Sequence, residues 1–488
     1  MRIYEISTWV WLSELSRKHG RRITLAEVPA AEWDAIAGLG FDTVWLMGVW
    51  ERSPAGVIIA REKQGLEPEF RRVLPDYTPS DVPGSPYCIH DYTVDSHLGG
   101  PQSLAKAREA LAGRKLGLIL DFVPNHTAPD HPWLLEHPDY YVRGTASDIG
   151  EAYFEYGGNV FARGRDPYFA PWPDTAQLNA FSPALRRAFI DTLGQIAGMC
   201  DGVRCDMAML MLNEVFARTW GERAGAPPTA ELWQEVIGAV KRAHPGFTFI
   251  AEAYWDLEWQ LQQLGFDYCY DKRLYDRLVH DDAESVRLHL LADVSYQNKL
   301  VRFLENHDEP RAAATFPKPK HRAAAVTVMT LPGAKLIYEG ELEGRRVKLP
   351  VQLGRRPDEP VDTDLLDFYR RLLKIEVSGE WRLCDHSGWP DNASYRNIVA
   401  WCWQDNTRRT LIAVNLSSSP AQARVKLPWN DLAGQSWRLT DEFSGAVYTP
   451  RDGNEMRDPG LYVDLGPWSF NIFSVTANPR EAVRTAPC

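Results

Sequence analysis

Residues 201–206 read Asp-Gly-Val-Arg-Cys-Asp, a short apolar strand that ends in the pattern Arg-x-Asp. Because side chains alternate between the two faces of a strand, Arg204 and Asp206 point the same way. A cation beside a carboxylate favours the ionised carboxylate, which is the form that a nucleophile needs at neutral pH. The stretch is therefore a candidate catalytic element, although pairs of arginine and aspartate are also common on protein surfaces.

Three further apolar stretches end in acidic, amide or histidine side chains. Residues 116–126 (LGLILDFVPNH) lie upstream, and residues 247–252 (FTFIAE) and 301–308 (VRFLENHD) lie downstream. In barrels of parallel strands the active site is built at the carboxyl ends of the strands. Four strands that each end in such side chains predict one shared pocket.

The four stretches, in this order, resemble the conserved regions of the α-amylase superfamily, the clan of retaining α-glycoside hydrolases and transglycosylases. DFVPNH is similar to the first region, GVRCD to the second, IAEAYWD to the third and FLENHD to the fourth. The resemblance extends over roughly residues 1–380. Four motifs in the family's order are a far more specific signal than any one of them.

Strand-like apolar runs alternate with amphipathic helical runs, which is typical of βα units and a parallel sheet. Eight strands are predicted near residues 2–8, 43–47, 117–122, 202–206, 248–252, 266–270, 300–304 and 335–339. Helices are predicted between them, for example at residues 102–112, 183–199, 230–243 and 363–375. The pattern predicts an α/β fold, a (β/α)8 TIM barrel.

The barrel pattern is interrupted once and then ends. The interval from Asp121 to Arg204 is longer than one βα unit requires, and its residues 127–179 resemble the family's domain B, a small insertion after strand 3. Beyond residue 378 apolar residues recur with period two, which predicts a C-terminal antiparallel β-sandwich. The predicted parts are the catalytic barrel in two stretches, 1–126 and 180–378, the insertion 127–179 and the sandwich 379–488.

The resemblance implies a catalytic role for each carboxylate at a strand end. Asp206 would be the nucleophile and Glu252 the general acid/base, as cleavage of an acetal with retention requires. Asp308 would be the third carboxylate, which stabilises the transition state. Arg204 would hold Asp206 ionised and oriented. The alternative is a purely structural layer of ion pairs at the rim of the barrel.

Other side chains are expected to bind the sugar. By resemblance, His126 and His307 would donate hydrogen bonds to the sugar beside the scissile bond, and Tyr87 would stack on its ring. Each also has an ordinary alternative as a core residue. Asp121 lies deeper in its strand and is interpreted as a structural partner of Arg204. The loop tryptophans are candidates for outer sugar subsites, against the alternative that they are core residues: Trp133, Trp172 and Trp255.

Two departures from the family pattern bear on substrate length and on calcium binding. Many starch-degrading members have Lys-His where this chain has Met209 and Leu210, which argues against a groove for long starch chains. Gln177 stands where the family often has an acidic calcium ligand, while Asn125 matches a common ligand. Calcium prefers several oxygen ligands, carboxylates above all. A calcium site is therefore not favoured, and no metal ligand or other cofactor is predicted.

Composition limits the class of partner. The net charge is −11 without a cluster of basic residues, which argues against nucleic acid and anionic membranes. No apolar run reaches the ~18 residues of a membrane span, and no signal peptide is recognised at the N-terminus. Seven cysteines without framework spacing suit reduced thiols. We expect a cytoplasmic protein with a small carbohydrate substrate; the sequence does not set its oligomeric state.

Three functions are compatible with these residues. The leading prediction is a retaining glycoside hydrolase that cleaves α-glucosidic bonds in short α-glucans or α-glucosides through a covalent glycosyl-enzyme intermediate. A transglycosylase that transfers glucosyl or maltosyl groups would use the same residues. A non-catalytic carbohydrate-binding relative is the third, and the intact set of Asp206, Glu252 and Asp308 argues against it.

Overall fold

The computed structural model describes residues 1–63 and 65–478. Eight parallel strands close into a barrel in which strands that follow each other along the chain are neighbours. They are β1 (Arg2–Ser7), β2 (Thr43–Met47), β3 (Gly117–Phe122), β4 (Gly202–Cys205), β5 (Thr248–Ala251), β6 (Tyr268–Tyr270), β7 (Leu300–Arg302) and β8 (Ala334–Tyr338). The predicted (β/α)8 barrel is confirmed.

Two predicted strands, 266–270 and 300–304, are each two residues longer than the observed β6 and β7; the other bounds differ by at most one residue. The chain leaves β7 early because it turns toward the mouth of the barrel. The side-chain oxygen of Asn306 accepts the N–H groups of Asp308 and Glu309 at 2.9 and 2.8 Å and fixes that turn.

The principal helices run between the strands, and the predicted helix 183–199 has the observed bounds. Its start is explained by Ser182, whose hydroxyl accepts the N–H of Leu185, and by Pro183 in the first turn. The other three predicted helices differ by two or three residues at one end. The longer helices of the barrel are Thr8–His19, Ala30–Gly38, Gly100–Ala112, Pro183–Met199, Asn213–Trp220, Leu232–Ala243, Glu258–Gln263, Lys272–His280, Ala283–His289, Lys318–Thr330 and Thr363–Leu372.

The long segment between β3 and the helix Pro183–Met199 folds into short antiparallel pieces. Its two strand pairs are Tyr153–Tyr156 with Asn159–Ala162, and His126–Thr127 with Ala176–Gln177. The second pair sets His126 directly opposite Gln177. Residues 172–175 of this insertion reach the mouth of the barrel.

A second excursion, which the sequence analysis did not single out, follows β2. Strands Trp50–Arg52 and Ile89–Val94 pair in antiparallel fashion, and the helices Pro54–Glu62 and Leu66–Val73 lie between them along the chain. Gly48 begins the excursion at φ 76°, and a Cβ there would lie 2.7 Å from the Cβ of Pro86. Only glycine suits both the positive φ and the close approach. The excursion carries Tyr87 to the mouth of the barrel.

The C-terminal part contains two antiparallel sheets around a separate apolar core, which confirms the predicted β-sandwich. The larger sheet contains, in spatial order, Glu380–Leu383, Ile398–Gln404, Arg409–Asn415, Phe470–Ala477, Ser436–Asp441 and Val447–Asp452. The smaller contains His386–Ser387, Ala421–Val425 and Leu461–Leu465. The exact boundaries predicted for the parts of the chain stay a prediction, and residues 479–488 of the predicted sandwich lie outside the described residues.

No helix in the described part of the chain combines the length and the apolar character that a bilayer crossing requires.

Candidate active site

Arg204 joins the three carboxylates at the mouth of the barrel. It lies on β4 with 1% of its surface exposed. Its Nη1 lies 2.7 Å from Oδ1 of Asp206, and its Nη2 lies 2.8 Å from Oε2 of Glu252 and 3.8 Å from Oδ2 of Asp308. The acids follow β4, β5 and β7, so three strand ends that are far apart in sequence converge on one guanidinium group. Its planar fork fixes their relative positions.

Aromatic rings surround this guanidinium group. Its central carbon lies 5.4 Å from the ring centroid of Trp45, 5.2 Å from that of Tyr87 and 5.8 Å from that of Tyr270. Burial opposes the positive charge, but the surrounding anionic groups, led by Glu252, outweigh it and raise the pKa of Arg204 above its usual value. Arg204 is therefore a permanent cation at the centre of the site.

The backbone N–H that follows Asp206, like Arg204, connects Asp206 to Glu252. Burial raises the pKa of Asp206, and Arg204 opposes that rise by favouring the carboxylate. The next residue, Met207, has a left-handed backbone at φ 43°. The N–H of Met207 donates to Oε2 of Glu252 at 2.6 Å. A strained residue beside the predicted nucleophile thus helps to hold the predicted acid/base.

Glu252 gains or loses its proton near neutral pH. Burial raises its pKa to about 7 against the opposing effect of Arg204, and the charges of Asp206 and Asp308 add to the rise. The hydroxyl of Tyr254 donates to its Oε1 at 2.7 Å. A carboxyl group that titrates near the working pH can both give and take a proton.

His307 is held as a cation between two carboxylates. Its Nδ1 lies 2.5 Å from Oε1 of Glu5 on β1, and its Nε2 lies 2.9 Å from Oδ2 of Asp308 and 2.7 Å from the hydroxyl of Tyr87. Burial opposes the charge, but Asp308 and Glu5 raise the pKa of His307 to about 10. In turn, His307 and Arg204 overcome burial and lower the pKa of Asp308 to about 2. Asp308 is therefore an anion at all moderate pH values.

A cavity of about 390 Å³ opens above these groups, at the small end of the range for ligand pockets. Among the predicted site residues, those that line it are Asp206, Glu252, Asp308, Tyr87, His126 and Trp172. Arg204 and His307 lie beneath it, 1% and 3% exposed. A direct hydrogen bond from His307 to a sugar therefore requires Asp308 or Tyr87 to release Nε2.

His126 is neutral, because burial lowers its pKa to about 4. Its ring centroid lies 5.5 Å from that of Trp172 at the pocket wall. The two other candidate tryptophans are not among the lining residues. Trp133 packs against His131 and Tyr140 in the insertion. Trp255 lies outside the pocket, where its ring contacts Tyr168 of the insertion edge-on at 5.0 Å.

Asp121 lies below the catalytic carboxylates. Its Oδ2 accepts the N–H of Gly48 at 2.8 Å, and its Oδ1 is 4.0 Å from Nη1 of Arg204. It therefore anchors the second excursion to the floor of the site. Met209 and Leu210 are core residues, at most 3% exposed, so the positions where the family often binds a further sugar present no side chain to substrate.

Glu5 and Tyr254 were not recognised from the sequence. Tyr254 lies inside the quoted motif IAEAYWD, two residues after Glu252, and this spacing was the available signal. Glu5 is a carboxylate within the apolar strand β1 and is fully buried. A charged residue in such a strand requires a partner, but no local pattern identifies His307, 302 residues away.

The residues at the family's calcium position do not fit a cation. The side-chain nitrogen of Gln177 lies 2.9 Å from the backbone oxygen of Asn125, 3.0 Å from its Oδ1 and 3.0 Å from the backbone oxygen of Leu178. These three oxygens, which could otherwise ligate calcium, face an amide N–H₂ group. An amide nitrogen is a donor and cannot ligate the ion.

Comparison with known proteins identifies relatives of the chain. The family model described as alpha amylase, catalytic domain, matches residues 31–359. The alpha-amylase MalA of Haloarcula japonica is 26% identical over 399 residues, which cover 76% of this chain and 55% of MalA. Alpha-amylase 3 of Dictyoglomus thermophilum is 23% identical over 273 residues, which cover 50% of each protein. The chain thus spans about half the length of these two relatives.

Solved structures share the fold over almost the whole chain. A maltogenic alpha-amylase, AmyB of Thermotoga neapolitana, superposes with a TM-score of 0.68 at 18% identity, covering 97% of this chain and 98% of that one. At this level of identity the likeness concerns the fold: the barrel and the C-terminal part occur together in both proteins.

Proposed function

The chain belongs to the alpha-amylase family, and on that premise we propose that it is a retaining glycoside hydrolase that cleaves α-glucosidic bonds in short α-glucans or α-glucosides. One observation carries the proposal. Asp206 and Glu252 face one pocket while both are bound to the single guanidinium group of Arg204. That arrangement places a nucleophile and a proton donor, whose pKa is about 7, where both can act on the same bond of a substrate.

The reaction proceeds in two steps on these groups. In the first, Glu252 gives its proton to the glycosidic oxygen while an oxygen of Asp206 bonds to the anomeric carbon, which breaks the bond to the leaving group. In the second, the Glu252 carboxylate takes a proton from water, and that water's oxygen displaces Asp206. The anionic Asp308 stabilises the positive charge that develops on the sugar in both steps.

Short substrates follow from the shape of the site. The cavity is small, and its sides are formed in part by residues 172–175 of the insertion and by Tyr87 of the second excursion. Met209 and Leu210 are buried in the core instead of lining an extension of the groove. A long polymer therefore finds few contacts beyond the pocket itself. A cytoplasmic location belongs to the same proposal, which is supported by six free and buried cysteines among the described residues.

A transglycosylase differs only in what enters the second step, since a sugar hydroxyl then replaces water. Glu252 and Asp206 would act in the same way. The products distinguish the two reactions: hydrolysis releases reducing sugar in proportion to substrate consumed, whereas transfer yields longer or differently linked saccharides.

The direct test is incubation of the protein with α-glucosides and with maltose to maltoheptaose, followed by proton NMR of the first product. We expect the α-anomer at early times, because two displacements at one carbon preserve its configuration. Early β-anomer would exclude the mechanism. Binding without turnover, in wild type and Asp206→Asn alike, would instead indicate a carbohydrate-binding protein.

A further inference from the structure

The two oxygens of the Glu252 carboxyl group have different partners. Oε2 faces the N–H of Met207 at 2.6 Å and Nη2 of Arg204 at 2.8 Å. Oε1 accepts one hydrogen bond, from the hydroxyl of Tyr254 at 2.7 Å. A backbone N–H and a guanidinium group are donors without an acceptor function, whereas a phenol hydroxyl both donates and accepts.

This asymmetry determines which oxygen carries the proton. A proton on Oε2 would point at two other donors, so Oε1 is the oxygen that can be protonated. Tyr254 is then the one described partner of this carboxyl group that can reverse its hydrogen bond. It donates to Oε1 when Glu252 is an anion and can accept from Oε1–H when Glu252 is an acid.

The backbone holds Tyr254 in this place. It follows β5 by three residues and lines the pocket beside Glu252. The two residues after it, Trp255 and Asp256, both have left-handed backbones, at φ 64° and 63°. Burial raises the pKa of Tyr254 well above its usual value, and the charge of Glu252 adds to that rise. Its hydroxyl is therefore protonated at every pH at which the protein works.

We propose that Tyr254 is a positioning residue that holds Oε1, the proton-carrying oxygen of Glu252, ready for the glycosidic bond. The proposal rests on the proposed function and deepens it. In the first step the proton moves from Oε1 to the leaving oxygen, and the Tyr254 hydroxyl then donates to the new carboxylate. In the second step the proton returns to Oε1 from water, and Tyr254 ceases to donate.

Other titratable and charged groups also surround Glu252. The titratable and charged groups that face it from the neighbouring strand ends are Arg204, Asp206, Tyr270 and Asp308, the last held by His307. Removing the Tyr254 hydroxyl leaves these groups in place and takes one donor from the carboxylate. The pKa of Glu252 should therefore rise in Tyr254→Phe, by about one pH unit for one hydrogen bond to a charged group.

The experiment measures this pKa directly. Glutamate labelled with ¹³C at the side-chain carboxyl carbon is titrated by NMR in the wild type and in Tyr254→Phe, and the Glu252 signal is assigned by its loss in Glu252→Gln. Tyr275→Phe is the matched control, because this buried tyrosine on the helix Lys272–His280 packs against Phe303, outside the pocket. We expect an upward shift of about one pH unit in Tyr254→Phe and none in Tyr275→Phe.

A second readout follows the reaction. The alkaline limb of kcat/KM for maltose should move upward by the same amount in Tyr254→Phe. With α-glucosyl fluoride, whose leaving group needs no proton, the pH dependence of kcat/KM should show no such shift. An unchanged or lowered pKa of Glu252 in a folded Tyr254→Phe protein would overturn the proposal. Because the titration needs no substrate, failure of every α-glucoside to react would refute the proposed function alone.

Discussion

Replacing Glu5 by glutamine should weaken the protein in a strongly pH-dependent way. His307 keeps its proton to about pH 10 in the folded protein, while its ordinary pKa is 6.5. A raised folded-state pKa contributes stability that is fully present below pH 6.5 and is lost as the pH rises through about 10. That interval corresponds to roughly 5 kcal/mol at 1.36 kcal/mol per pH unit. Asp308 and Glu5 both contribute to this free energy, so we assign about 2 kcal/mol of it to Glu5.

The assay is equilibrium urea unfolding, followed by tryptophan fluorescence at pH 7 and pH 10.5. At pH 7 Glu5→Gln should lose about 2–3 kcal/mol of unfolding free energy, because a buried cation keeps only one carboxylate partner. At pH 10.5 the difference from wild type should fall below about 1 kcal/mol, since His307 is then largely neutral in both proteins.

Glu305→Gln is the matched control. Glu305 is also fully buried, but its cationic partner is Arg311, which stays charged at both pH values. Its loss should therefore be the same at pH 7 and pH 10.5. A loss in Glu5→Gln that is equally pH-independent, or no loss at pH 7, would refute the charged Glu5–His307 pair.

Removing any one of the three acids, by Asp206→Asn, Glu252→Gln or Asp308→Asn, should leave the fold intact and abolish most of the turnover. Because the three acids act as a unit, a double variant should be little worse than the worst single one. A near-normal kcat in any of these variants would contradict the role of the replaced residue. Exhaustive chelation with EDTA should change neither activity nor Tm, and a Tm that falls and is restored by calcium alone would show a metal site. Gln177→Ala should lower the unfolding free energy by about 2 kcal/mol, because buried oxygens then lose their hydrogen-bond donor. Comparison of kcat/KM on maltose-to-maltoheptaose substrates with soluble starch should favour the short substrates, and random internal cleavage of starch would contradict this.

The barrel and its strand ends were predictable because their signals are local. Most of the strands contain a run of apolar residues, as expected for strands that are buried on both faces. Asp206 and Glu252 follow β4 and β5 directly, and Asp308 follows the end of β7 by six residues. Parallel topology then brings them together without any knowledge of loop structure. The resemblance to a known family supplied their individual roles.

The parts that were missed depend on contacts between distant segments. The excursion after β2 has ordinary helical and turn composition, and only the length of residues 48–116 distinguishes it from a simple βα connection. The expected contact of His307 with the sugar depends on side-chain depth, which strand period does not determine. Whether a residue after a strand faces the pocket depends on single φ values, such as those of Met207 and Trp255.

The contact between Glu5 and His307 also orders events during synthesis of the chain. Glu5 is synthesised 302 residues before its partner His307. At about 5–20 residues per second, that delay is roughly 15–60 s. Until His307 emerges, β1 carries a carboxylate that cannot enter an apolar interior without a large penalty. Burial of β1 in the barrel therefore depends on synthesis of β7 and of His307 beyond it. Closure of the barrel then coincides with formation of the Glu5–His307–Asp308 contacts.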